Sequence, residues 1–260
     1  MYEIQTYLGA DGLMHCTVCK EPVEAFYPKG SLLEMRKHHR QCACERKAYA
    51  EEAQYYKEKE HRELIARNKK ICFEEKEMEG FTFQNVERDS GVIRIAEEYV
   101  TNWQKMKQNH MGYLFWGPVG TGKSYLATCI ANALLEKEVT VKMTNFNTIL
   151  NDLFAAETEY IRSLNGYELL IIDDLGVERS SEYALENIFS VIDWRYRSGK
   201  PLIITTNLPL VQLKQETKIE KKRIYDRILE RCIPVKIDGV SRREAMANDN
   251  MQTMKNILKI

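Results

Sequence analysis

No stretch of this chain approaches the roughly 18 consecutive apolar residues that a membrane span requires. The opening "MYEIQTYLGADG" lacks both the basic start and the apolar run of a secretory signal. No membrane contact is expected, and the chain is read as cytoplasmic. Net charge is missing too, because 38 Lys and Arg balance 38 Asp and Glu. No global field draws such a chain onto nucleic acid, so a contact of that kind needs a local basic surface. Internal repeats and low-complexity segments are absent. The composition, 44% hydrophobic and 29% charged, excludes a fibrous or disordered chain.

What is present falls into three zones. Residues 1–44 are turn-rich and hold Cys16 and Cys19 as C-x2-C and Cys42 and Cys44 as C-x-C. A cytoplasm keeps thiols reduced, so these pairs read as metal ligands before disulfides. Four thiolates meet the tetrahedral demand of structural Zn²⁺, and so short a segment gains most from such a staple. His15, His38 and His39 are close enough in sequence to replace one cysteine. Residues 45–80 form a charged helical linker: up to Met78 they contain neither Pro nor Gly, and Gly80 ends the run. Cys72, Cys129 and Cys232 fall in helix or strand patterns and read as packing residues.

Residues 81–260 alternate apolar β-type runs with amphipathic helical stretches. The runs are 113–117, 139–144, 168–173, 201–206 and 233–237. That alternation predicts an α/β domain with a parallel five-stranded sheet flanked by helices.

The chemistry is concentrated at the ends of these strands. "GPVGTGKS", residues 117–124, fits G-x-x-x-x-G-K-[ST] between a strand and a helix. Its predicted nucleotide contacts are Gly117, Pro118, Val119, Gly120, Thr121, Gly122, Lys123 and Ser124. The glycines let backbone N–H groups face phosphate oxygens. Lys123 can reach the β- and γ-phosphates of ATP, and Ser124 can ligate Mg²⁺. "LLIIDDLG", residues 169–176, ends an apolar strand in two carboxylates. Asp173 is placed to hold Mg²⁺, and Asp174 to polarise the attacking water as a general base. "PLIITTNLP", residues 201–209, delivers Thr206 and Asn207 to the same crevice, where the amide can orient that water. The helix "KKRIYDRILERC" supplies Arg227 for a neighbour's γ-phosphate, and "GVSRRE" supplies Arg243 for the chain's own nucleotide.

The ordered set "GPVGTGKS", "LLIIDDLG", "TTN", "RIYDRI" and "GVSRR" resembles the AAA+ ATPases of the DnaC/DnaI helicase-loader and IstB group, over about residues 81–245. The resemblance implies Mg-ATP at Gly117–Ser124 and Asp173–Asp174, a sensor at Asn207, an arginine finger at Arg227 and a second sensor at Arg243. It implies hydrolysis of ATP, with Asp174 where many AAA+ proteins have Glu. It implies binding of a DnaB-type replicative helicase and of single-stranded DNA, and a ring or spiral of identical subunits when ATP is bound. DnaI-like loaders carry a zinc-bearing N-terminal domain, whereas the IstB branch assists a transposase and generally lacks one. A small-molecule kinase and a non-hydrolysing ATP-binding module are the other readings of a phosphate loop.

Overall fold

The computed structural model describes residues 5–33, 36–85, 91–176, 181–239 and 241–258. The chain divides into two compact units, residues 1–64 and 65–260.

The first unit is built on short antiparallel pairs. Strands β1 (Thr6–Leu8) and β2 (Met14–Cys16) form one hairpin, with Thr6 opposite Cys16. Strands β3 (Glu24–Phe26) and β4 (Lys37–His39) form another, with Glu24 opposite His39. Its small core consists of Cys16, Val23 and Cys42, with Met14, Cys19 and Cys44 against them. Helix α1 (Ala43–Cys72) begins in this unit. Its Glu- and Lys-rich sequence is largely exposed over residues 46–63, in keeping with the sparse apolar positions there. The helix ends at Cys72 rather than running on to Gly80, and a 3-10 turn (Lys76–Gly80) follows.

In the second unit the sheet order is β6-β7-β8-β5-β9, all strands parallel. The strands are β5 (Gly112–Trp116), β6 (Val141–Asn145), β7 (Leu169–Leu175), β8 (Leu202–Thr206) and β9 (Cys232–Lys236). Successive strand residues point to opposite faces, and here both faces are apolar. Tyr113, Phe115, Leu169, Ile171 and Ile203 pack with Tyr99 of α2 (Gly91–Thr101) and Ile130 and Leu134 of α4 (Lys123–Leu135); the short α3 (Trp103–Gln108) lies between these helices in the chain. Leu114, Leu170, Ile172, Leu202 and Ile204 pack with α5 (Phe146–Gly166), α6 (Glu182–Ser198) and, beyond the short α7 (Leu210–Lys214), α8 (Ile219–Arg231). Each such side chain contributes about 1.5–3 kcal/mol on full burial, so the doubly covered sheet is the stable scaffold. Helix α9 (Arg242–Leu258) closes the chain.

The α/β architecture expected from the sequence is thus present. Cys72, Cys129 and Cys232 are buried in its cores. No helix among the described residues is long and apolar enough to cross a membrane.

Candidate functional site

Strand β8 comes late in the chain yet lies between β5 and β7. The C-terminal ends of these three strands therefore converge three segments: the loop after β5, the acidic end of β7 and Asn207 after β8. Crevices outside strand C-termini are where α/β sheets bind ligands.

The loop of residues 117–122 turns tightly from β5 into α4. Gly117 has φ +146° and would place a side-chain carbon 2.2 Å from the Ile237 carbonyl oxygen. Gly120, at φ +82°, would place one 2.2 Å from the Ser241 hydroxyl. Only glycine fits either position. The loop delivers Gly122 as the N-cap of α4, whose first turn carries Lys123 and Ser124. Lys123 is 5% exposed, and its ammonium donates to the carbonyls of Gly117 at 3.0 Å and Pro118 at 2.7 Å. The Thr121 hydroxyl donates to the same Pro118 carbonyl at 2.9 Å. The charge is thus held inside the curl of the loop, at a helix N-terminus, where an anion is favoured.

Asp173 continues the face of β7 that carries Leu169 and Ile171, the face that α4 covers. Its carboxylate accepts hydrogen bonds from Thr205 and Ser124. Burial pushes its pKa up, while these two hydroxyls and Lys123 pull the other way. A hydroxyl and a carboxylate brought together at a phosphate loop are hard oxygen donors of the kind magnesium takes, along with substrate oxygens. The residues present fit that ion.

The sequence pattern placed both aspartates at the end of the strand. The structure instead carries β7 on to Leu175 through a bulge. Ile172 pairs with Ile204, but Leu175 pairs with Thr206, so β7 holds one extra residue. Asp174 sits in this bulge at φ +57°. Its N–H donates to the Thr205 hydroxyl at 3.0 Å, and its Oδ1 lies 3.5 Å from Asn207 Nδ2, at the outer limit of a hydrogen bond. Thr206, expected in the crevice, is buried and donates to the Leu175 carbonyl at 2.7 Å. Thr205 is the threonine that meets the aspartates. Strand alternation contained that signal, because Thr205 shares the face of Ile203.

Of the two remaining basic candidates, Arg227 is engaged between α8 and α6. It pairs with Asp193 at 2.6 Å. Its guanidinium also lies over Phe189 and Tyr196, 5.2 and 4.9 Å from their ring centres. Arg243 is the second residue of α9, and its side chain is outside the described residues. Ser241, two positions earlier, lies against Gly120 of the loop.

In the first unit, the sulfurs of Cys16, Cys19, Cys42 and Cys44 all lie within 4.8 Å of one another. Tetrahedral zinc with bonds of about 2.3 Å sets sulfurs about 3.8 Å apart, so the cluster is compatible with that ion. Backbone N–H groups of Cys44 and Glu21 point at Cys19 and pull its pKa down to about 6, which favours a thiolate. The histidines are engaged elsewhere. His15 bonds Asp11 and the Lys20 carbonyl, His38 the His39 carbonyl, and His39 pairs with Glu45. Among the described residues, the group is made of cysteines only.

Residues 48–249 match the profile of the IstB-like ATP binding protein family. The replicative helicase loader DnaC of Escherichia coli (strain K12) is 29% identical over 149 residues, which is 55% of this chain and 58% of DnaC. The replicative helicase loader DnaI of Bacillus subtilis (strain 168) is 24% identical over 192 residues, 67% of this chain and 62% of DnaI. The match thus spans less than two thirds of either relative. A crystal structure of DnaI superposes with a TM-score of 0.58 at 24% identity, covering 68% of this chain and 99% of that one, a likeness of fold. With a family match over most of its length and a phosphate loop opposite paired aspartates, this chain belongs to the IstB-like ATP-binding proteins.

Proposed function

We propose that the protein is an ATP-driven loader that holds a DnaB-type replicative helicase and releases it onto single-stranded DNA. The observation that carries this reading is the presence in one chain of a four-cysteine cluster and an IstB-like ATP-binding domain. The helicase loaders DnaC and DnaI among its relatives support the same direction. The zinc-stapled residues 1–44 would contact the helicase, residues 45–80 would link, and residues 81–260 would bind and hydrolyse ATP in the cytoplasm.

Each side chain then has a task. Lys123 exchanges the carbonyls of Gly117 and Pro118 for the β- and γ-phosphates, a stronger charge-assisted contact. Ser124 and Asp173 would hold magnesium, which would supply positive charge to neutralise the phosphates. Asp174 accepts a proton from the attacking water, and Asn207 orients that water. Arg227 serves the site of an adjacent subunit in a ring or spiral, and to do so it must leave Asp193. Arg243 acts on the chain's own nucleotide. Asp174 is one methylene shorter than Glu, which keeps hydrolysis slow until a partner or DNA adjusts the water.

The test is co-purification of the full chain with a replicative helicase. Capture that requires ATP, and that Lys123→Ala abolishes, is the expected result. The family profile also covers proteins of the IstB kind, which favours a second reading as a transposase helper. Capture of a transposase, with no retention of helicase at any nucleotide state, would replace the first reading with the second.

A further inference from the structure

Two threonines at the end of β8 hold the bulge of β7 from opposite faces. Thr206 bonds the Leu175 carbonyl, and Thr205 takes the two aspartates. Thr205 is completely buried. A buried hydroxyl costs stability unless it is hydrogen-bonded, and this one is used in both senses. Its single proton goes to Asp173 Oδ1, and its oxygen accepts the Asp174 N–H. The β-branched side chain in a strand keeps χ1 fixed, so the direction of both bonds is set by the backbone of β8.

We propose that Thr205 is a positioning residue of the magnesium-nucleotide site, aiming the Asp173 carboxylate and fixing the backbone of Asp174 within the bulge. The proposal rests on the reading of Asp173 as a magnesium ligand. Asp174 needs such support because a left-handed backbone is unfavourable for a residue with a side chain. Without the Thr205 oxygen, its N–H would lose the acceptor it has at the irregular step of the β7–β8 pairing. Without the Thr205 proton, Asp173 would keep only the Ser124 hydroxyl, itself assigned to the ion, and would meet the ion in several orientations. Ser124 also donates to Asp173, but it comes from α4, whereas the Asp174 N–H is held by Thr205.

Calorimetry of ATP binding to the full chain, with saturating Mg²⁺ and with chelator, tests this directly. In the unaltered protein Mg²⁺ tightens binding, and Asp173→Asn removes the tightening. Thr205→Val is expected to cut the tightening about tenfold, the scale of one hydrogen bond to a charged group, while affinity in chelator stays unchanged. Thr205→Ser, which restores the hydroxyl, is expected to recover most of it. Should the valine variant fail to fold, Thr205→Ala carries the same expectation. Full tightening in a folded Val or Ala variant while Asp173→Asn loses it would overturn the role of Thr205 alone. A serine variant no better than valine would overturn it as well. No tightening in the unaltered protein would overturn both the reading of Asp173 and the proposal.

Discussion

At the scale of single residues, the site is a set of charges held by short contacts. The Lys123 ammonium is buried against two carbonyls, which keeps it aimed into the loop. Asp173 and Asp174 are neighbours in sequence but differ in setting: Asp173 is partly buried and bonded by two hydroxyls, Asp174 is exposed at a bulge. That difference predicts separate consequences. Asp174→Asn should leave ATP affinity within about twofold and slow hydrolysis by roughly 10²-fold or more, the usual contribution of a general base. Single-turnover measurement beside calorimetry checks it, and a variant that hydrolyses normally would remove Asp174 from that role. Arg227→Ala should likewise spare ATP binding and lose hydrolysis in the assembled protein. Unchanged turnover there would show that Arg227 serves only its pair with Asp193.

At the scale of elements, the ends of the strands matter more than their middles. Arg195 of α6 is 1% exposed and donates to the carbonyls of Tyr167, Glu168 and Pro201. Burial pulls its pKa down to about 9. These carbonyls lie just before β7 and β8, the two strands whose far ends carry Asp173, Thr205 and Asn207. Arg195→Ala leaves three acceptors to fend for themselves, and at roughly 1–3 kcal/mol for each unsatisfied group the loss is about 3 kcal/mol or more. A urea midpoint left unchanged would contradict this. The strands themselves were legible in the sequence, because runs such as "ELLIID" are apolar on both faces. The phosphate loop was legible because its glycines and lysine have fixed spacing. The bulge was not legible: alternation along β8 shows which face Thr205 takes, but the extra residue in β7 is a matter of register between distant segments. The end of α1 at Cys72 was also hidden, since the residues after it read as helix by composition while Phe73 is drawn into the core.

At the scale of the whole molecule, two kinds of stability coexist. Residues 65–260 have two apolar cores around one sheet, whereas the described residues of 1–64 gather a small core around cysteines. A segment of that size with so little apolar burial would gain much of its stability from a metal at the four cysteines. Purified protein should therefore carry one zinc per chain by elemental analysis. Cys42→Ser should lose it and expose residues 1–44 to protease, with ATP binding by the rest retained. Full protection without zinc would contradict the staple.

The proposed function requires that the loop around Lys123 grip a nucleoside triphosphate with the help of Asp173. Isothermal calorimetry with Mg-ATP tests it most directly. Saturable uptake near one nucleotide per chain, abolished in a folded Lys123→Ala variant, is the expected result. Absence of any binding heat in the unaltered protein across several temperatures, or equal binding by Lys123→Ala, would contradict it.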